Sequence, residues 1–149
     1  MGTRSGIIRK LSKGTYEGVY CHWDGYPSNN GKILLEHWSD DDKLAEMMNI
    51  GSLSSLGPEI GGKVNFDEHH PEQCTFHTRD RGETESYRKK KVGTLQDVID
   101  HISDFEYLYL WENKKWKVYF CRHRLHYKEG WHNLQTVLNY IDKHQKKEL

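Results

Sequence analysis

Y-L-Y-L-W-E-N-K-K-W-K-V-Y-F-C-R, residues 107–122, points most directly to the architecture. Tyr107 to Trp111 and Trp116 to Arg122 are aromatic and β-branched runs of strand character. Between them Glu112-Asn113-Lys114-Lys115 reads as a turn, with Asn113 suited to the left-handed backbone of a tight hairpin. A stretch of the same kind opens the chain. Ile7 to Ser12 and Thr15 to Trp23 flank Lys13-Gly14, where glycine can supply the positive φ of a hairpin turn. Two hairpins, at about 6–23 and 107–122, therefore frame an antiparallel sheet. In the second arm of the first, Tyr16, Gly18, Tyr20 and His22 alternate with Glu17, Val19, Cys21 and Trp23. Neither face is cleanly polar, so both are candidates for cover.

Helical periodicity appears four times between and after these hairpins. Residues 30–38 set Ile33, Leu34 and Trp38 along one side. Residues 40–49 are expected to start at a Ser39 cap, with Asp40, Asp41 and Asp42 in the dipole-favoured first turn and Leu44, Met47 and Met48 as the apolar stripe. Thr94 and Asp97 form a capping box for 94–105, whose Leu95, Val98, Ile99 and Ile102 recur at i, i+3, i+4, i+7. Asn133 caps 133–144, with Leu134, Val137, Leu138 and Ile141 facing the core, before a frayed polar tail at 143–149. Residues 57–93 carry Gly-Pro, Gly-Gly and charge-dense stretches and read as a long irregular segment, with short strands expected around Gln73 to Thr78. Hairpin, two helices, irregular segment, helix, hairpin, helix is an α+β order with helices to one side of an antiparallel sheet. It argues against a doubly wound parallel sheet.

The chain has 149 residues, enough for one domain over 1–149 with a core of its own. Its 22 basic and 22 acidic side chains balance, so there is no overall field to draw in nucleic acid or an anionic membrane, and neither is an expected partner. The basic run Arg88 to Lys91 reads as a solvated linker. Three widely spaced cysteines, with no secretory signal and no apolar run long enough to span a bilayer, fit a reducing compartment. No Rossmann or phosphate-loop glycine motif is present, Gly61-Gly62-Lys63 being too short, and no cofactor is implied.

Chemistry could sit at two places. The first is the strand end Tyr20 to Ser28, Y-C-H-W-D-G-Y-P-S, where His22 and Asp24 are two apart and could share a proton as an oriented general base. Cys21 points to the opposite face from His22, which disfavours a Cys-His nucleophile. The plainer account has Trp23 and Tyr26 packing, Asp24-Gly25 turning the chain and His22 bonding a carbonyl. The second place is H-T-R-D-R-G-E, residues 77–83. In an extended segment His77, Arg79 and Arg81 would share a face, with Asp80 opposite, and would suit a phosphate or diphosphate. The plainer account is a solvated loop whose arginines pair with Asp80, Glu83 and Glu85. Arg4 adds a cation before the first strand.

Ten histidines raise the question of a metal. His69, His70, Cys74 and His77, and separately Cys121, His123, His126 and His132, are the loose groups, but neither has a specific ligand spacing and no metal site is assigned. Tyr16, Tyr20, Trp23, Tyr26, Tyr107, Tyr109, Trp111, Trp116 and Tyr119 exceed what a one-sided sheet needs. Rings beside arginines grip nucleobases, whereas core packing or a subunit interface explains the same residues.

The opening M-G-T-R-S, then Y-C-H-W-D-G-Y-P-S, L-L-E-H-W at 34–38, R-D-R-G-E at 79–83 and Y-L-Y-L-W-E-N-x-x-W-x-V from 107 together resemble a set of small uncharacterised proteins encoded by bacteriophages. The resemblance covers most of the chain, and D-G-Y-P-S is its most specific part. It implies a phage accessory protein acting in the bacterial host cytoplasm and carries over no catalytic residue.

Three functions are compatible with these residues. One is a binder of a nucleotide-like small molecule, such as a host immune signal, using Arg79, Arg81 and Arg4 on phosphate and Trp23 or Tyr26 on a base. Another is a nucleotide or phosphodiester hydrolase with His22 or His77 as general base, oriented by Asp24 or Asp80. The last is a module that inhibits a host protein through its aromatic surface. A homo-oligomer is compatible with each, and no heptad sets its order. Convergence of His22, Asp24, Arg79 and Arg81 in space is the discriminating fact.

Overall fold

The computed structural model of the protein describes residues 2–124 and 126–144. The first hairpin is β1 (Ser5–Ser12) with β2 (Thr15–Cys21), closed by the pair Ser12↔Thr15 around Gly14 at φ 80°. The second is β6 (Tyr107–Glu112) with β7 (Lys115–Phe120), closed by Glu112↔Lys115. Its two turn residues, Asn113 and Lys114, both have positive φ, 53° and 61°, which matches the right-handed twist of the strands. Four short strands complete the sheet: β3 (Leu53–Ser55), β4 (Thr75–Phe76), β5 (Lys91–Gly93) and β8 (Gly130–Asn133). The order is β4-β3-β2-β1-β6-β7-β8, with β5 also pairing with β2.

The class is α+β, but the sheet is mixed where the two hairpins alone predict an antiparallel one. The hairpins join through β1 and β6, which run parallel from Ser5↔Tyr107 to Arg9↔Trp111, and β3 joins Cys21 of β2 in parallel as well. Such joins follow long connections, and no turn chemistry announces them.

Nor do the helices lie to one side. The helices α1 (Lys32–His37), α2 (Asp41–Ile50) and α5 (Leu134–His144) cover the face that carries Ile7, Val19, Tyr107, Tyr109, Val118 and Phe120. Helix α4 (Leu95–Ile102) covers the other, packing Val98 and Ile102 on Ile8, Leu108 and Leu110. The reason lies in the central strands: β1 and β6 are apolar on both faces, and each face needs its own cover. Burying Val98 and Ile102 contributes about 1.5–3 kcal/mol each. Their close approach depends on Gly6 and Gly18. A Cβ at Gly6 would meet Ile102 Cδ1 at 2.6 Å, and one at Gly18 would meet Val98 Cγ1 at 2.6 Å.

Local signals are met with small shifts. The first helix begins at Lys32, after a π-helical turn over Pro27–Gly31, and is shorter than 30–38. Asp40, not Ser39, caps α2, accepting from Lys43 N at 2.8 Å, while the Ser39 hydroxyl bonds back to Leu35 O. The Thr94–Asp97 capping box is formed, and α4 ends at Ile102, short of the expected 105, with Ser103 as its C-cap. Asn133 caps α5 through Thr136 N. Lys143 and His144 belong to α5 rather than to a tail, and 145–149 lie outside the described residues. Among the described residues no helix is long and apolar enough to cross a membrane.

The segment 57–93 is less irregular than its composition suggests. It holds β4, the short helix α3 (His77–Arg81), a single turn over Ser86–Arg88, and β5. Its first part, 57–74, is fastened by backbone recognition. Arg79 donates to the carbonyls of Ile60, Gly61 and Cys74, and Asp80 accepts from Val64 N and Phe76 N.

Candidate functional site

Strand β2 ends beside β3, and α3 follows directly on β4, so the two places singled out in the sequence come together across β3. His22 follows the last residue of β2. Its Nδ1 lies 2.7 Å from the Tyr20 hydroxyl, and its ring meets Trp23 edge-on at 4.7 Å. His77 opens α3, only 4% exposed, with Nδ1 2.9 Å from Ser52 Oγ. The Tyr20 ring stacks on His77 at 6.5 Å, and Phe66 from the 57–74 loop lies against His77 at 5.6 Å. Arg81, one turn after His77, stands 4.8 Å over the Phe66 ring. A cleft of about 330 Å³ opens among them, lined by His22, Trp23, Phe66, His77, Arg81 and Arg88, with Ser54 between.

Both imidazoles are held in the neutral form. Burial pushes His77 down to about 4, aided by the charge of Arg88. Burial lowers His22 too, and Arg4 and Arg88 add to the effect. Arg4 pairs with Asp104 at 3.3 Å, and its charge opposes the burial that raises the pKa of the Tyr20 hydroxyl. His22 therefore meets the cleft as a neutral imidazole. Fixed charge at the cleft comes from Arg81 and Arg88, partly balanced by Glu83, which bonds Arg88 at 2.9 Å and lies 3.9 Å from Arg81.

Of the residues singled out in the sequence, the structure brings His22, Trp23, His77 and Arg81 to one cleft, with Arg4 acting behind Tyr20. Asp24 forms no dyad with His22. At φ 56° it leaves the strand alternation, its carbonyl accepts from Asn29 and Asn30, and it borders an adjoining cleft instead. Tyr26 packs against the main core. The extended reading of 77–81 is overturned by α3, a single helical turn in which His77, Arg79 and Arg81 do not share the face that alternation would give. Arg79 and Asp80 are structural: they bond each other at 2.9 Å and hold the 57–74 loop. Burial by itself would raise the Asp80 carboxyl, but the bonds from Arg79, Phe76 and Val64 outweigh it and hold the group below its ordinary value.

Arg88 reads as a linker residue in the sequence, and Phe66, Ser52 and Ser54 carry no signal beyond their composition. Arg88 reaches the cleft because its carbonyl accepts from Ser52 N at 2.7 Å, which ties 86–88 to β3. Cys21 and Cys74 are buried, with thiols pushed up to about 12 by burial. Neither can supply a thiolate near neutral pH. Among the described residues no three His, Cys, Asp or Glu side chains are grouped to hold a metal ion. No family model matches the sequence, and no curated protein or solved structure is significantly similar to it.

Proposed function

We propose that the cleft binds a nucleotide-like small molecule through its phosphate. The observation that carries this reading is the meeting of Arg81 and Arg88 with the Trp23 and Phe66 rings in one cleft of about 330 Å³, within the usual range for small-ligand sites. Guanidinium groups take phosphate oxygens bidentately, and the neutral His22 imidazole lines the same cleft. Trp23, 41% exposed, offers a face for a planar base.

Binding is favoured over turnover by the state of the imidazoles. Phosphodiester cleavage by paired histidines needs one protonated to serve the leaving group, whereas burial and the arginines keep both neutral at pH 7. A hydrolase reading retains one specific support, the orientation of His77 by Ser52 and of His22 by Tyr20. In the phage setting implied by the sequence resemblance, a binder without turnover would sequester a host signalling nucleotide in the bacterial cytoplasm.

Thermal-shift and calorimetric titration against linear and cyclic nucleotides and ADP-ribose derivatives tests this reading. At least one member of the panel should bind, and Arg81→Ala with Arg88→Ala should weaken it at least about tenfold, since charge-assisted hydrogen bonds are the strong ones. Chromatography of ligand recovered after denaturation should return it intact, and altered ligand would replace sequestration by catalysis. No binder in the panel would overturn the proposal.

A further inference from the structure

The two cleft arginines share one carboxylate. Glu83 Oε1 accepts from Arg88 Nε at 2.9 Å, and Glu83 Oε2 lies 3.9 Å from Arg81 Nη1. Its side chain is 19% exposed, so water and salt screen it only in part. The backbone fixes its place: Gly82 takes φ 75° after α3, and Glu83 N then donates to His77 O at 3.1 Å. Each guanidinium is also set against a ring, Arg81 over Phe66 and Arg88 over Tyr87. The arginine pair is therefore held in position before any ligand arrives. Glu83 itself stays off the cleft wall, yet its charge is felt there, opposing that of Arg88 at the His77 ring.

Charge decides which kind of phosphate such a cleft takes. Arg81 and Arg88 bring two positive charges, and Glu83 offsets one of them. His22 and His77 are neutral, and Arg4 is offset by Asp104. The anion position is left with a single net positive charge. The adjoining cleft, which shares Trp23, Ser54 and Phe66 with this one, adds the carboxylates of Asp24, Asp67 and Glu68. A terminal phosphate carries about −1.5 to −2 at pH 7, whereas a phosphodiester has no second ionisable oxygen and keeps one negative charge. The diester matches the cleft. The terminal phosphate would set surplus negative charge against Glu83 and the neighbouring carboxylates, and repulsion of that kind is how sites reject a close competitor. We infer that the cleft selects a phosphodiester, as in a cyclic nucleotide or the linkage of a dinucleotide, over a terminal phosphate, and that Glu83 sets this choice. The inference rests on the phosphate reading above and narrows it to one class of ligand.

The test titrates nucleoside 5′-monophosphates, their methyl phosphate esters and the 3′,5′-cyclic monophosphates into wild type, Glu83→Gln and Glu83→Asp at about pH 7.5, where the monophosphate is close to doubly charged. Monophosphate and methyl ester differ by one methyl group and one ionisable oxygen. Wild type should prefer the ester by about tenfold or more, the scale of one uncompensated charge in a partly screened site. Glu83→Gln keeps an acceptor for Arg88 Nε and removes the charge. It should tighten the monophosphate about tenfold, leave the ester within about threefold and so abolish the preference. Glu83→Asp keeps the charge and should keep the preference, and Glu83→Ser, which also removes the charge, serves if Glu83→Gln fails to fold. Wild type binding the monophosphate as tightly as the ester, or more tightly, overturns selection for a diester and leaves the phosphate reading in force. A preference unchanged once the charge is removed, or lost in a folded Glu83→Asp, overturns the role of Glu83. Absence of binding by all three probes overturns the inference, while the wider nucleotide panel above decides the phosphate reading separately.

Discussion

Acidification should weaken this protein through His77, and the size of the effect follows from its surroundings. The ring is 4% exposed, between Tyr20 and Phe66 with Ser52 on Nδ1, and burial with the Arg88 charge lowers its pKa from 6.5 to about 4. Protonation is therefore harder in the folded chain than in the unfolded one. The stability held by the neutral ring is complete above 6.5, falls as pH drops below that value, and levels off below about 4. At 1.36 kcal/mol per unit, the loss across the window is about 3 kcal/mol, a large part of a small domain's margin. Urea unfolding between pH 7 and pH 4 measures it, with His77→Phe as the reference, since carboxylates titrate in the lower part of the same window. The wild-type loss should exceed that of His77→Phe by about 3 kcal/mol, and the imidazole should titrate near 4 by NMR. Parallel pH profiles for the two proteins, or an imidazole titrating near 6.5, would contradict this account of His77.

Two further outcomes test the scaffold. Gly18→Ala drives a methyl to 2.6 Å from Val98 Cγ1 and should cost about 1–3 kcal/mol of unfolding free energy, with Val98→Ala in the same chain recovering part of it. Arg79→Ala leaves Asp80 buried without its cation and releases the three carbonyls of the 57–74 loop. Stability should fall by about 3 kcal/mol, and limited proteolysis should cut first within that loop.

What the sequence disclosed was local, and what it concealed was pairing at a distance. Asn113 marks its hairpin because few residues accept φ 53°, and Thr94 with Asp97 marks α4 because both ends of the capping box lie within one turn. The parallel join of β1 to β6 has no such mark, since its partners are brought together by burial on two faces rather than by a turn. The site divides in the same way. His22, Trp23, His77 and Arg81 are legible as residue types, and their meeting depends on the β2–β3 join. Arg79 and Arg81 cannot be told apart in the sequence, because alternation gives them the same side and only the helical turn of α3 separates a loop clamp from a cleft-lining cation. Arg88 is hidden by its lysine neighbours, and its role depends on a backbone bond to Ser52 that no side-chain pattern encodes.

The Arg79 clamp has a consequence for how such a site could diversify. It grips the 57–74 loop by the carbonyls of Ile60, Gly61 and Cys74, groups that every residue possesses. The position of the loop is thereby uncoupled from most of its side chains, and Phe66, Asp67 and Glu68 are carried toward the clefts on a frame that does not depend on their identity. Substitutions along the loop can retune ligand choice one residue at a time without dismantling the scaffold, which makes this segment the natural place to graft new specificity.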